Sequence, residues 1–282
     1  IIVQDLGVAK IAREVAPRLD LHGSTQMSIH NAKGAQALKE FGFSRVVLAR
    51  ELSLKEIEMI CKQVEIEIEV FVHGALCISY SGQCLMSSMI GGRSGNRGKC
   101  AQPCRLPYQL EKNGEILDIS FGSYLLSPRD LNFIEYLPDL ANSGVVSLKI
   151  EGRMKSPEYV GTVISEYRNV LDQVISLKNA EKNLEKIFHR GYSKGYLNGP
   201  LGKEMMSSHR PNNWGEKVGR VKHKNNTVFF DFNQIIYPGD RLEAQWGINS
   251  SVVVEFKIEA PIEGEVSFNR SYSIPDGAKL FR

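Results

Sequence analysis

The sequence predicts an α/β fold: a β/α barrel of the TIM type that lacks its N-terminal strands, followed by a small all-β barrel domain. Three observations predict it. Short β-branched runs alternate with amphipathic helical stretches from residue 1 to about 178, and a long interruption at 74–144 separates the fourth such run from the fifth. After residue 205 the helical period gives way to short alternating runs with turns between them.

The elements follow in order. IIVQDL precedes the helix pattern VAKIAREVAPRL, LDLHGST precedes NAKGAQALKEFG, and RVVLARE precedes LKEIEMICKQV. IEIEVFVHG is the fourth strand, and VVSLKIEG is the fifth, ahead of PEYVGTVISEYRNVLDQVISL. Repeated βα units demand parallel strands and right-handed crossovers. At about 30 residues per unit, a full barrel would carry some three more units on the N-terminal side. An open doubly wound sheet is the alternative, weakened because no glycine-rich phosphate loop follows the first strand. The interruption contains a hairpin, PYQLEKNGEILDIS, turning at Asn113-Gly114, and then SYLLSPRDL leading into a short helix. Loops of that length are generally functional when they carry so many apolar and cysteine residues. The expected boundaries are 1–178 for the partial barrel, 179–205 for a linker, and 206–282 for a β-barrel built from VGRVKHKNNTVFFDF, RLEAQW, SVVVEFKIE and EVSFNRSYSI.

Composition excludes fibrous and disordered classes, since 42% of residues are hydrophobic and 24% charged. No run approaches the ~20 apolar residues of a membrane span, and the opening IIVQDLGVAKIAREV lacks a signal-peptide pattern. The expected compartment is therefore the cytoplasm, without membrane contact. Thiols stay reduced there, so clustered cysteines read as metal ligands or catalysts. The net charge of +3 does not by itself require a nucleic-acid partner. Arg93, Arg97, Lys99 and Arg105 nevertheless fall together with no acid between them, which suits a phosphate-bearing ligand or, more plainly, a solvated loop.

Four of the five cysteines, Cys77, Cys84, Cys100 and Cys104, lie within 28 residues, with gaps of six, fifteen and three. Zinc knuckles prefer two to four residues at both ends, which the six-residue gap fits poorly. Iron–sulfur ligands tolerate more varied spacing. A cluster, a zinc ion and separate thiols all stay open on spacing alone, while Cys61, inside IEMICKQ, reads as a core residue.

Period-two alternation in EVFVHGALC sets Glu69, Phe71 and His73 on one face, which in a barrel is the interior. The same reading of SLKIEGR turns Lys149 and Glu151 inward and Leu148 and Ile150 outward, with Arg153 just beyond. Glu69, His73, Lys149 and Glu151 are the catalytic candidates. Arg50, Arg93, Arg97, Arg105 and Arg153 are the substrate-binding ones, and His22, Ser24, Gln26 and Glu51 are nearby alternatives. The plainer reading is ion pairing among Glu69, Lys149, Glu151 and Arg50.

Glu69, Phe71, Gly74, Ala75, Leu76, Cys77, Gly82, Cys84, Met86 and Ser87 match the signature of the collagenase-like peptidase family U-32 at every defined position. HGSTQMS, VVLARELS, GGRSGNRGKCAQPCR, LLSPRDL and LKIEGRMKSPEYV resemble the same family, so the likeness spans residues 1 to 200. It implies a β/α barrel, here without its N-terminal strands, and a C-terminal β-domain.

The family name implies proteolysis, which the residues do not favour. A cysteine protease needs one thiol with a base and an orienting partner, and a metalloprotease needs clustered His and carboxylate ligands. No HExxH is present, and only His73 lies near the cysteines. Members similar to this chain are implicated in oxygen-independent hydroxylation of RNA and of ubiquinone precursors, with cysteines carrying an iron–sulfur cluster. The RNA targets include the transfer RNA wobble uridine and a ribosomal cytidine.

The resemblance thus implies a four-iron four-sulfur cluster on Cys77, Cys84, Cys100 and Cys104, with zinc as the alternative. It implies transfer RNA as partner and prephenate as cosubstrate and source of the hydroxyl. The expected function is RNA hydroxylation. A collagenase-like peptidase is one rival. A non-catalytic RNA-binding or assembly partner is another, because the raw sheet edges of a partial barrel would recruit a second copy or a different chain.

Overall fold

The computed structural model describes residues 1–117, 122–199, 202–224, 227–246, 250–254, 258–268 and 273–282. The βα alternation is realised as β1 (Ile2–Val3), α1 (Leu6–Val15), β2 (His22–Gly23), α2 (Ala32–Glu40), β3 (Arg45–Val47), α3 (Leu54–Gln63) and β4 (Glu67–Gly74). Each helix starts where a polar side chain satisfies a free backbone N–H. Asp5 accepts from Val8, Asn31 from Gly34, and Ser53 with Glu56 forms a reciprocal capping box. Strands β1 to β4 pair in parallel in sequence order.

The interruption holds the short α4 (Met86–Gly91) and a two-stranded ribbon, β5 (Glu111–Lys112) with β6 (Glu115–Ile116). Its turn is the expected one, with Asn113 and Gly114 both at positive φ, as a type I′ hairpin requires. The end of the predicted hairpin, DIS, lies outside the described residues. Then follow β7 (Asp130–Asn132), α5 (Leu137–Asn142), β8 (Ser147–Ile150), α6 (Pro157–Leu171), α7 (Leu177–Glu185) and β9 (Tyr192–Ser193).

Strand β4 is the branch point of this sheet. It pairs with β3 on one side and with both β8, in parallel, and β7, antiparallel, beyond it; β7 continues in parallel to β9. The result is a mixed α/β sheet that does not close on itself among the described residues. Neither the antiparallel β7 nor the two-residue β9 was readable as a strand, because each is too short for a period-two pattern.

One core lies between this sheet and its helices, with Val46, Ile68, Val70 and Val72 from strands against Leu38, Ile57, Ile60 and Val163 from helices. The stretch 179–205, expected as a linker, belongs to that core: Ala180, Leu184, Leu197 and Met205 are buried in it. Its polar and glycine-rich composition hid the four apolar positions that dock it.

A second core belongs to the C-terminal part: β10 (Lys217–Lys224), β11 (Thr227–Ile236), β12 (Leu242–Trp246), β13 (Ser250–Val254), β14 (Ile262–Phe268) and β15 (Lys279–Phe281). These form one antiparallel sheet in the order β13-β12-β15-β10-β11-β14, around Val218, Phe230 and Leu280. Among the described residues β15 is a strand that the sequence did not reveal. Closure into a barrel is not seen among the described residues. No helix is long and apolar enough to cross a membrane among those residues.

Gly74 ends β4 at φ +101°, and a Cβ there would sit 2.3 Å from the Glu151 carbonyl oxygen. Both the φ and the contact exclude other residues. Gly74→Ala is expected to lower stability by about 2–4 kcal/mol through strain and displacement of the β8 end. Urea unfolding monitored by circular dichroism checks it, and a change under 1 kcal/mol, roughly an ordinary surface effect, would contradict it.

Candidate functional site

Where β4 and β8 end, the sheet and the cysteine-bearing loops enclose a cavity of about 800 Å³. Cys77, Cys84, Cys100 and Cys104 all contribute to its wall. All four are free thiols; Cys100 is exposed and the others are half-buried.

Local chemistry fixes these loops. Gly82, at φ +80°, rests on the Gln26 backbone, where a Cβ would meet the carbonyl oxygen at 2.2 Å. Asn96 donates to the Gly82 carbonyl at 2.9 Å, and Gln26 donates to Asn96 at 3.3 Å. Ala101 N–H donates to the buried Ser87 hydroxyl at 2.9 Å. Short polar side chains thus anchor the irregular stretch between α4 and Cys104.

Burial pushes the Cys77 and Cys104 thiols above their ordinary range, and the neighbouring cysteines reinforce the shift. The nearby Arg50 and Arg105 oppose it without prevailing. An activated nucleophile would show the opposite shift. Among the described residues no histidine lines the cavity, so no thiol has an imidazole base beside it. Nor do any three His, Cys, Asp or Glu side chains gather tightly enough to hold a single ion.

The charged part of the wall is almost wholly cationic. Arg50, Arg93, Lys99, Arg105, Lys149, Arg153, Lys155 and Arg190 line it, against one carboxylate, Glu151. These charges are not equivalent. Arg105 is committed within the protein, donating to the Leu76 carbonyl at 3.1 Å, to the Ser127 hydroxyl at 2.8 Å and to the Pro128 carbonyl. Arg190 forms a buried pair with Asp130 at 3.1 Å and donates to Pro211 O at 2.8 Å. Lys149 pairs with Glu69 at 3.0 Å. Lys155 lies with its Nζ 2.9 Å from the centre of the Phe188 ring, and burial with the charge of Arg190 draws its pKa down to about 8. Arg50 stands over the face of Phe71 at 5.6 Å and donates to Ser81 at 3.3 Å.

Of the residues singled out from sequence, the cavity brings together Lys149, Glu151, Arg50, Arg93, Arg105, Arg153 and the four cysteines. It does not include Glu69, His73 or Arg97. Glu69 sits one step down the strand from Phe71, buried in a charge network with Lys149, Arg45 at 3.4 Å and Ser147 at 2.8 Å. Burial works against its ionisation, but those partners outweigh it and keep the carboxyl below its usual range. It is thus the structural ion pair, positioning Lys149. Arg97 is exposed on the loop outside the wall.

His73 departs from the expected face because the β4–β8 register shifts between Phe71 and His73. Phe71 is level with Lys149, but His73 is level with Ile150, a residue packed on the core. The extra residue on β4 reverses the alternation. His73 is consequently fully buried among Tyr159, Tyr167, Tyr192 and His189, with burial, then the His189 charge, lowering its pKa to about 3. It cannot shuttle protons in the cavity.

Sequence reasoning missed Lys155, Phe188, Arg190 and Tyr80 on the wall. Lys155 was within view, inside LKIEGRMKSPEYV. Phe188 and Arg190 come from the segment read as a linker.

Comparison with known proteins places the chain among relatives. The transfer RNA hydroxylation protein P1 of Bacillus subtilis is 48% identical over 177 residues, covering 61% of this chain and 42% of that protein. The 23S rRNA 5-hydroxycytidine C2501 synthase of Escherichia coli is 44% identical over 175 residues, 62% of this chain and 26% of that one. A protein named collagenase from Porphyromonas gingivalis is 35% identical over 184 residues, 61% and 44% respectively. The chain therefore spans less than half the length of these relatives. No solved structure matches it. The description of peptidase family U32 matches residues 1–207, which include every cysteine and every cationic residue of the cavity, and the chain belongs to that family.

Proposed function

We propose that the chain forms the thiol-bearing part of an RNA-hydroxylating enzyme acting on transfer RNA, with Cys77, Cys84, Cys100 and Cys104 holding a four-iron four-sulfur cluster. One observation carries the reading: four thiols and eight cations face a single cavity that has no histidine among the described residues. The relatives named for transfer RNA hydroxylation and ribosomal hydroxycytidine synthesis support the RNA part. A cluster bound there would supply single-electron transfer.

In this reading the chain's own residues do the rest. Glu151 accepts and returns a proton at its carboxylate, and Lys149, pinned by Glu69, fixes the local charge. Arg50, Arg93 and Arg153 take phosphates, or the carboxylates of a cosubstrate such as prephenate. We read the parallel strands as part of a β/α barrel, in which sites form beyond the strand C-termini; Cys77 and Glu151 follow the ends of β4 and β8. The second, all-β core is read as a separate small domain.

Anaerobic purification with iron and sulfide analysis tests the cluster, and nucleoside mass spectrometry of RNA from a deletion strain tests the reaction. The expected results are a coloured, iron-containing protein and the loss of one hydroxylated nucleoside. A colourless, iron-free protein overturns the cluster. An unchanged nucleoside profile alongside gelatin cleavage by the purified chain favours the peptidase.

A further inference from the structure

Tyr80 is 72% exposed, although it helps form the wall of the cysteine cavity. It is not on a loose segment. The next residue, Ser81, is fully buried, its N–H and hydroxyl both donating to Glu51 Oε1 at 3.0 and 3.1 Å. Arg50 N–H donates to the Ser81 hydroxyl at 3.1 Å, and Gln83 N–H closes a turn onto the Tyr80 carbonyl at 3.0 Å. Gly82 is seated against Gln26 without room for a side chain. A rigid pedestal thus holds an aromatic ring out into solvent, and its hydroxyl has no partner among the described residues.

The other residues of that wall select a ligand. Arg93, Lys99 and Arg153 are exposed on the same wall, and Met154 beside them is 80% exposed. The lone acid of the wall, Glu151, accepts from the backbone N–H of Arg153 at 3.0 Å. A polyanion with flat apolar faces complements such a surface. An unfolded peptide has no phosphates to meet the cations, and a duplex keeps its base faces stacked away.

We propose that Tyr80 is a base-stacking platform on which one unpaired RNA base next to the modified nucleotide lies, while Arg93, Lys99 and Arg153 take the flanking phosphates. The inference rests on the RNA reading above and adds to it a determinant of single-stranded over duplex RNA.

Binding of the full chain to a fluorescent RNA hairpin with an unpaired loop, and to the matching blunt duplex, tests it by anisotropy. Tyr80→Ala is expected to weaken loop binding about 5- to 150-fold, the range of one base–aromatic stack, and to leave duplex binding unchanged. Tyr80→Phe keeps the native affinity, and Tyr80→Trp shows indole quenching on adding the loop RNA. Arg153→Ala weakens both RNAs and lowers the salt slope by about one. Native-like loop binding by Tyr80→Ala, with the arginine effect intact, overturns the platform and leaves the RNA reading standing. Absence of RNA binding by the native chain overturns both. A Tyr80→Ala defect seen with denatured collagen and not with RNA also overturns it, in favour of a peptide partner.

Discussion

Under the function proposed above, alanine in place of any one of Cys77, Cys84, Cys100 or Cys104 is expected to reduce RNA hydroxylation by about a hundredfold or more, since even indirect partners of a metal matter on that scale. The equality of the four is the informative part. They differ in exposure, Cys100 being exposed and the others half-buried, and a single nucleophile would make one of them indispensable and three dispensable. A ligand set makes all four matter. Iron content should fall with activity in each variant, while the far-ultraviolet circular dichroism stays native. One sensitive cysteine and three tolerant ones, with iron retained, would remove the ligand set from consideration.

Acid should unfold the chain through His73. Its folded pKa is about 3 against 6.5 for the ordinary side chain, so above pH 6.5 both states hold it neutral and stability is unaffected. Below 6.5 the unfolded chain takes up a proton that the folded one refuses, and stability falls until the folded pKa is reached. The slope is about 1.4 kcal/mol per pH unit for one proton, so about 3 kcal/mol is lost between pH 6.5 and 4. His189 is shifted in the same direction by its own burial and steepens the fall. His73→Phe, which keeps an aromatic ring among Tyr159, Tyr167 and Tyr192, is expected to flatten the curve by one proton. Urea unfolding at stepped pH measures both proteins, and parallel curves would show that His73 does not titrate the fold.

The outline of the molecule was legible where local chemistry and burial act together. Asn113-Gly114 announced its hairpin, and the alternation of SLKIEGR set Lys149 and Glu151 apart from their neighbours; both line the cavity. Residue identity also gathered the cysteines and most of the arginines. What stayed hidden depends on pairing between distant segments. The extra residue on β4 is visible only against β8, so nothing in EVFVHG reveals that His73 leaves the face shared by Glu69 and Phe71. The placement of Phe188 and Arg190 depends on the docking of β9 beside β7, a contact between two very short strands some sixty residues apart.

The register shift on β4 has an effect on how this protein can change over time. Residues before it, Glu69 and Phe71, share the side of the strand that meets the ligand space or its charge support, while His73 after it is sealed among tyrosines that secure β4 to α6 and β9. One strand therefore carries two independent duties. Phe71 lines the cavity and packs on the core, while His73, two residues on, is held by the tyrosines, so a change at one position need not alter the contacts of the other.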